Sequence, residues 1–354
     1  MRIAMGLSMA AIVVGAAVYA FSPRHTPPLA ATRLVMERTQ INTLVRAGRS
    51  LVAAGELGVI ARSDDEGKTW QAVPVEPQRH ALLNQIVFID DKTGMAVGHE
   101  GLILRTDDGG RHWKELAFDK ERGEPLMSIA RLPSGTWLAV GAFGRALSST
   151  DDGTTWQRIE LAGAEDKHLN RIVATADRQH WLIVGERGLV LASDDAGVTW
   201  RTVPAFYNGS LYGAHALPDG GWLAYGMRGH AYRSDPRAQA WVKSEVPVPI
   251  SMLGDATAPD GSLLLVGQGG IVLRSTDGGS RFAIVRAGGR AALTDIQLLA
   301  DGHWLLASDG GLRNHDPAAA PAAAGSAARP PAAAPAGAAG ASAPPAASAP
   351  GART

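Results

Sequence analysis

The sequence predicts an all-β fold: a seven-bladed β-propeller of four-stranded antiparallel blades, closed by an N-terminal strand. Three observations point there. An apolar run, a Gly, two variable residues and a second Gly recur with the first Gly at Gly55, Gly98, Gly141, Gly185, Gly226 and Gly267, a period of 41–44 residues. Periods of that size mark repeat architectures. An aromatic keeps the same beat at Trp70, Trp113, Trp156, Trp200 and Trp241, with Phe282 in the sixth unit. Finally, the units lack a 3.6-residue apolar rhythm, and Gly and Pro interrupt them too often for helices.

Unit four shows the elements most plainly, with strands expected over residues 169–174, 181–184, 189–192 and 199–203. Gly185 and Gly188 are expected to supply the positive φ of a tight hairpin. Asp195 is expected to accept backbone N–H groups in the next turn, and the Trp200 indole to cover it. A seventh copy runs from Leu305 to Leu312, with Ser308 in place of the first Gly, and stops at Asn314 without its last segment. Thr32 to Arg38 has strand character and no unit of its own. Residues 33–38 are therefore expected to be the fourth strand of the last blade, leaving fewer open edges.

Outside residues 32–316 the composition changes. Residues 1–21 contain an uncharged apolar stretch from Ile3 to Phe21 and read as a signal peptide or an N-terminal membrane anchor. The rest is then exported to the periplasm, free or tethered. Residues 22–31 form a Pro-rich spacer, and residues 317–354 an Ala/Pro-rich tail expected to be disordered.

Lys plus Arg equals Asp plus Glu at 34 each, so no basic field draws nucleic acid. The absence of Cys excludes disulfides, lipoprotein acylation and thiolate metal sites. The 10 His are scattered without chelate spacing, and no Gly-rich loop precedes a helix that could hold a phosphate. No metal, no cofactor and a monomeric chain are the expectation.

The unit closes on Ser-x-Asp-x-Gly-x-Thr-Trp. The segment is complete at Ser63, Asp65, Gly67 and Trp70, at Ser149, Asp151, Gly153 and Trp156, and at Ser193, Asp195, Gly197 and Trp200. It is nearly so at Thr106, Asp108, Gly110 and Trp113, where His112 replaces Thr, and at Ser275, Asp277 and Gly279; unit five, Ser234 to Trp241, has lost it. These segments resemble the Asp-box, or BNR, repeats of sialidases and other propellers. Across residues 33–315 the arrangement is similar to the photosystem II stability and assembly factor family, seven-bladed propellers that in photosynthetic members help build that complex. Val184 to Gly188, His168 to Asn170 and Met227 to Ser234 resemble its exported members from non-photosynthetic bacteria, which often accompany membrane transporters. The resemblance implies a non-enzymatic scaffold binding a membrane protein, a membrane-protein complex or its assembly intermediates; an accessory of a membrane transporter is the alternative.

The Asp-box carboxylates are read as turn residues, because copies spread around a ring cannot converge on one substrate and Asp bonds its own turn readily. A sialidase-like hydrolase is the competing enzyme reading. It would use a Tyr nucleophile with a carboxylate partner and an Arg clamp, and Arg131-Leu-Pro133 with Tyr207, Tyr212, Tyr225 and Tyr232 are its only traces. No catalytic residue is expected. The partner-binding face is placed on the variable Val-Gly-x-x-Gly turns and the loops entering each unit. Its residues are Glu56, His99, Glu100, Phe143, His168, Asn170, Glu186, Arg187, Tyr207, Met227, Arg228 and Gln268, a mixture of aromatic, Met and charged groups suited to protein contact.

Overall fold

A computed structural model describes residues 2–21 and 35–318. Arg2–Phe21 form one helix. Among the described residues no helix is long and apolar enough to cross a membrane. The expected spacer at 22–31 and all of the tail beyond Ala318 lie outside the described residues.

From Ile41 onward the chain folds into seven blades of antiparallel strands, which lie in sequence order in every blade except for one added edge strand in the second. Unit four forms strands Leu169–Ala174, Trp181–Gly185, Val190–Ser193 and Arg201–Thr202, within two residues of the expectation. The first strands of successive blades touch, and Ile41–Ala47 also meets Leu293–Leu298 of the last blade, so the ring is closed. The second strand of every blade is buried along its whole length. It is flanked by strands within its sheet and by neighbouring blades on both faces, which is why these segments read as continuous apolar runs.

The core therefore lies between blades. Val52, Ala54 and Ile60 of the first blade pack against Leu83, Ile86 and Trp113 of the second. Every first strand carries a register shift after its first residue. Such a bulge frees backbone groups and re-aims side chains. In four blades the third residue uses this to reach an N–H of the next blade: Thr43 Oγ1 accepts from Ile86 N at 3.2 Å, Gln85 Oε1 from Ile129 N at 2.8 Å, Ser128 Oγ from Ile172 N at 3.0 Å, and Asp295 Oδ2 from Leu44 N at 2.8 Å.

Two details differ from the expectation. The second blade gains a short fifth strand, Val75–Glu76, parallel to Trp113–Ala117. The seventh has three strands, Leu293–Leu298, Trp304–Ser308 and Arg313–His315. Of the segment 33–38 expected to supply its fourth, residues 33 and 34 lie outside the described residues and the remainder forms a turn. Arg38 N and Thr39 N both bond back to Val35 O, which uses the donors a strand would offer to a ladder. The segment still seals the last blade: Leu312 N donates to Met36 O at 2.8 Å, and Met36 is buried among Leu299, Leu305 and Leu312.

Candidate functional site

The six Val-Gly-x-x-Gly turns are tight β-turns with positive φ at their last two residues, each tied to the loop that enters its own blade. Glu56 N donates to Gln40 O at 3.0 Å, His99 N to Leu82 O at 2.8 Å, Glu186 N to His168 O at 2.8 Å, and Gln268 N to Ser251 O at 3.0 Å. The turns and entering loops thus share one face of the ring. Gly185 is glycine for a reason other than the one expected: its φ is −160°, ordinary extended backbone, but a Cβ there would sit 2.2 Å from His168 O. Positive φ falls instead on Arg187, at 55°, and on Gly188, at 69°.

Position three of the turn carries the side chains that face outward. Leu57, Glu100, Phe143, Arg187 and Arg228 all have φ of 53–55°. A left-handed conformation costs an L-residue roughly 1–2 kcal/mol relative to the right-handed one. Five blades nevertheless place a side chain there, while the sixth and seventh have glycine, Gly269 and Gly310. Leu57 is 57 % and Phe143 55 % exposed.

The other expected face residues divide by what they touch. Glu56 Oε1 and Glu186 Oε2 accept the N–H groups of Gln40 and His168, bracing the strand entrances. Phe143 meets the His168 ring edge-on at 4.9 Å. Tyr207 stacks on His230 at 4.7 Å and donates to Met227 O at 3.3 Å. Its phenol pKa is raised by burial. Asn170 faces inward, where its Nδ2 donates to Leu211 O of the next blade at 2.8 Å.

The Ser-x-Asp-x-Gly segments sit at the other end of the blades, bonded to the hairpins between strands one and two. Ala196 N donates to Gln179 O, and Gly109 N to Lys92 O. Within the first of them Ser63 donates to Asp65 Oδ1 at 2.8 Å, Thr69 N donates to the same oxygen, and the Thr69 hydroxyl donates to Oδ2 at 2.6 Å. Asp151 and Asp195 repeat the pattern with Thr155 and Thr199; Asp108 takes His112 in place of Thr, and Asp277 the backbone of Arg281. Hydrogen bonds from the Thr hydroxyl and then its N–H hold Asp65 and Asp151 down at pKa values of about 2. For Asp108, at about 2, burial opposes ionisation and the His112 contacts outweigh it. Every carboxylate is engaged by its own turn. Blade five, which lacks the motif, uses Asp235 to collect the N–H groups of Arg237, Gln239 and Ala240.

The glycine of the segment closes the turn and also fastens adjacent blades, a second duty the sequence reading did not assign to it. Gly110 N donates to Thr106 Oγ1 at 3.0 Å and Gly279 N to Ser275 Oγ at 2.8 Å, the bond that Gly67, Gly153 and Gly197 make to Ser63, Ser149 and Ser193. The imperfect segments of blades two and six therefore fold as the complete ones do. Gly110 has φ of 81° and Gly279 of 87°, where a Cβ is disfavoured. Such a Cβ would also press on the preceding blade, 3.1 Å from Val52 Cγ2 at position 110 and 3.3 Å from Leu223 Cδ1 at position 279. The fit is tighter at Gly153 and Gly197, where it would meet Met95 Cε and Leu132 Cδ2, each at 2.6 Å.

The aromatic that ends the segment is less uniform than expected. Trp70 and Trp200 donate their indole N–H to Gly67 O and Gly197 O, lying over their turns. Trp113 is instead fully buried against the first blade, and neither its indole nitrogen nor that of Trp156 has a hydrogen-bond partner among the described residues.

A polar cluster in the central channel escaped the sequence reading. Second residues of the first strands, among them Asn42, Asn84, Asn170, Tyr212 and Thr294, ring its mouth together with Arg171 and Asp295. Deeper in, Tyr225 donates to Asp255 Oδ1 at 2.5 Å, and His215 Nδ1 lies 2.7 Å from Asp255 Oδ2. The third first-strand residue is Gly213 in blade five, and a Cβ there would overlap the Tyr225 hydroxyl at 2.2 Å. Its absence makes room for the phenol. Burial works against charge on both His215 and Asp255, yet their mutual hydrogen bond and attraction raise the former pKa and lower the latter.

Tyr225 has a carboxylate partner, but it is 1 % exposed, and burial first, then Asp255, push its pKa well up. That is the opposite of what an activated phenolate requires. Arg131 sits 3.3 Å from Asp152 on the outer side of blade three. Among the described residues no group of His, Asp or Glu could hold a metal ion.

No curated protein sequence matches the chain. Among solved structures, one described as YCF48 bound to D1 peptide aligns at 20 % identity and a TM-score of 0.61, covering 82 % of this chain and 98 % of that one. YCF48 from Cyanidioschyzon merolae aligns at 15 % identity and 0.64, covering 80 % and 98 %. A streptogramin B lyase, at 13 % identity and 0.65 over 80 % and 95 %, shares the propeller. The family model for the photosynthesis system II assembly factor YCF48 matches residues 63–275, and with its repeats, its ring of seven blades and these structural relatives the chain belongs to that family.

Proposed function

We propose that the protein is a non-enzymatic, exported propeller scaffold whose Val-Gly-x-x-Gly face binds a membrane protein, as part of a complex or of its assembly intermediates. The observation that carries this reading is the set of five non-glycine residues held at positive φ on that face. At Leu57, Phe143, Arg187 and Arg228 that strain is combined with exposure of a large side chain, as a contact surface needs. A family relative has been described bound to a D1 peptide, a precedent for a polypeptide ligand.

The tips are chemically uneven around the ring, with Leu57, Glu100 and Phe143 on blades one to three and Arg187 and Arg228 on blades four and five. Aromatic and Arg anchors of this kind dominate protein interfaces. Binding would proceed by presentation of a rigid surface, since the ring closes without a hinge. Crosslinking and affinity recovery of the domain from its own membranes tests the reading. A membrane protein recovered by the wild type and lost with the tip variants supports it, and recovery unaffected by those variants overturns it.

A further inference from the structure

We propose that the mouth of the channel is a binding site for a small zwitterion, a free α-amino acid with an uncharged side chain, whose carboxylate meets Arg171 and whose ammonium meets Asp295. The site stands apart from the partner reading, which concerns the outward tips.

Arg171 and Asp295 both line a cavity of about 210 Å³ at the channel mouth. Among the described residues the Arg171 guanidinium has neither a hydrogen-bond nor an ion-pair partner, although its charge reaches Asp255 and Asp295. A guanidinium carries five N–H donors and no acceptor. Asp295 is only partly satisfied, since Leu44 N and Ile296 N each donate to one of its oxygens and a carboxylate has about four lone-pair sites. Two opposite charges thus face one cavity without closing on each other.

That arrangement selects the ligand. A simple anion would be drawn to Arg171 and repelled by Asp295, and a simple cation the reverse; a zwitterion satisfies both. Asn84 and Asn170 direct their Nδ2 atoms to Leu126 O and Leu211 O of the following blades. Both side chains line the cavity, and their amide oxygens are left as acceptors there. Met127 and Leu253 supply apolar wall for a side chain. The volume is below the ~300–1,000 Å³ of drug-sized pockets and suits one amino acid.

Burial raises the Asp295 pKa to about 6 against the lowering influence of Arg171. Asp255 also faces it, itself held by His215 and Tyr225. An ammonium favours the ionised form, so binding strengthens as pH rises through about 6.

Titration calorimetry on the full chain at about pH 7.5 tests this, above the Asp295 transition. The ligands are L-leucine and L-methionine against N-acetyl-leucine, which keeps only the carboxylate, and leucinamide, which keeps only the ammonium. Saturable binding of a free amino acid is expected, weakened at least about tenfold by blocking either charge, by Arg171→Gln and by lowering the pH to about 5. The Arg171 guanidinium has no hydrogen bond among the described residues, but its charge favours ionised Asp255 and Asp295, so Arg171→Gln and Asp295→Asn are each read beside their melting curves. N-acetyl-leucine binding as tightly as leucine would reassign the mouth to carboxylates alone, such as a peptide C-terminus, and overturn the proposal. So would leucinamide binding equally, or no saturable binding of leucine or methionine. Loss of this binding with membrane-partner recovery intact separates the two readings.

Discussion

Leu44 donates its backbone N–H to Asp295 Oδ2 at 2.8 Å, joining the first and last blades across 251 positions of sequence. Thr294 adds a second link through its hydroxyl to Ile41 O at 2.6 Å. Blades elsewhere are joined by covalent connections as well as packing, so this seam is where the ring is held by noncovalent contacts alone.

Asp295→Ala with Thr294→Val is expected to destabilise the domain by about 1–3 kcal/mol for each donor or acceptor left unpaired. Denaturant unfolding measures it. The same kind of double change at a covalently bridged junction, Thr43→Val with Asn42→Ala, should cost less. Equal losses at the two junctions would show that the seam is not special.

Asp295 also gives stability a pH dependence with an unusual sign. Its folded pKa of about 6 lies above the ordinary carboxyl value of 3.8, so the folded state binds the proton more tightly. Its contribution is fully present below about pH 4 and is lost as pH rises through about 6. Asp295→Asn should remove that component of the stability profile between about pH 4 and 6. A profile identical in the two proteins would contradict the assignment.

The Ser-x-Asp-x-Gly turns carry the opposite dependence. Asp65, Asp108 and Asp151 are lowered from 3.8 to about 2, so their contribution is present above about pH 4 and disappears as pH falls through about 2. The triple variant Asp65→Ala, Asp151→Ala, Asp195→Ala should melt lower at neutral pH and lose less on acidification than the wild type, while still recovering the membrane protein proposed as its partner. Partner loss in a folded triple variant would mean that the functional face is the other one.

Gly197→Ala should cost about 1–3 kcal/mol more than Gly123→Ala. Both glycines have positive φ, but a Cβ at 197 meets Leu132 at 2.6 Å while one at 123 meets nothing within 4 Å. Gly110→Ala and Gly279→Ala, with their contacts at 3.1 and 3.3 Å, should fall between these two. Chemical denaturation of the four variants separates backbone strain from the blade contact, and equal losses in all of them would leave strain as the whole effect.

Phe143→Ala, Arg187→Ala and Arg228→Ala together should abolish recovery of the partner and leave melting nearly unchanged, whereas adding Tyr207→Ala should also lower it, because Tyr207 stacks on His230 and bonds Met227 O. For Arg187 and Arg228 substitution keeps the residue at positive φ and removes exposed atoms, and for Phe143 it also removes the edge-on contact with His168. A large drop in melting temperature would reassign these residues to the fold.

The candidate face was legible because it repeats. Aligning the units shows the Gly pairs, and the residues between them vary where the frame does not. The channel was hidden for the converse reason. Arg171, His215, Asp255 and Asp295 lie on four different blades, and no spacing within a unit links them. A faint signal did exist: the third first-strand residue is Thr43, Gln85 and Ser128 early in the chain but Gly213 and Gly254 later, a departure marking where the inter-blade acceptor is missing. The same alignment could not distinguish Gly185, needed for close approach to His168 O, from Gly188, needed for its φ. Nor could it show that Gly110 and Gly279 abut Val52 and Leu223, because those contacts cross from one unit to the one before it.

By itself the sequence determined the number of blades, their strand order and the Ser-x-Asp-x-Gly turns, because each follows from contacts within about 40 neighbouring residues and is restated from unit to unit. Tertiary structure alone decided how the ring closes and what its centre contains. Closure turns on whether residues 35–38 satisfy their donors locally or in a ladder, and Val35 O wins that competition. The centre is set by which side chains seven converging strands bring together, a relation between distant residues that only the folded ring creates.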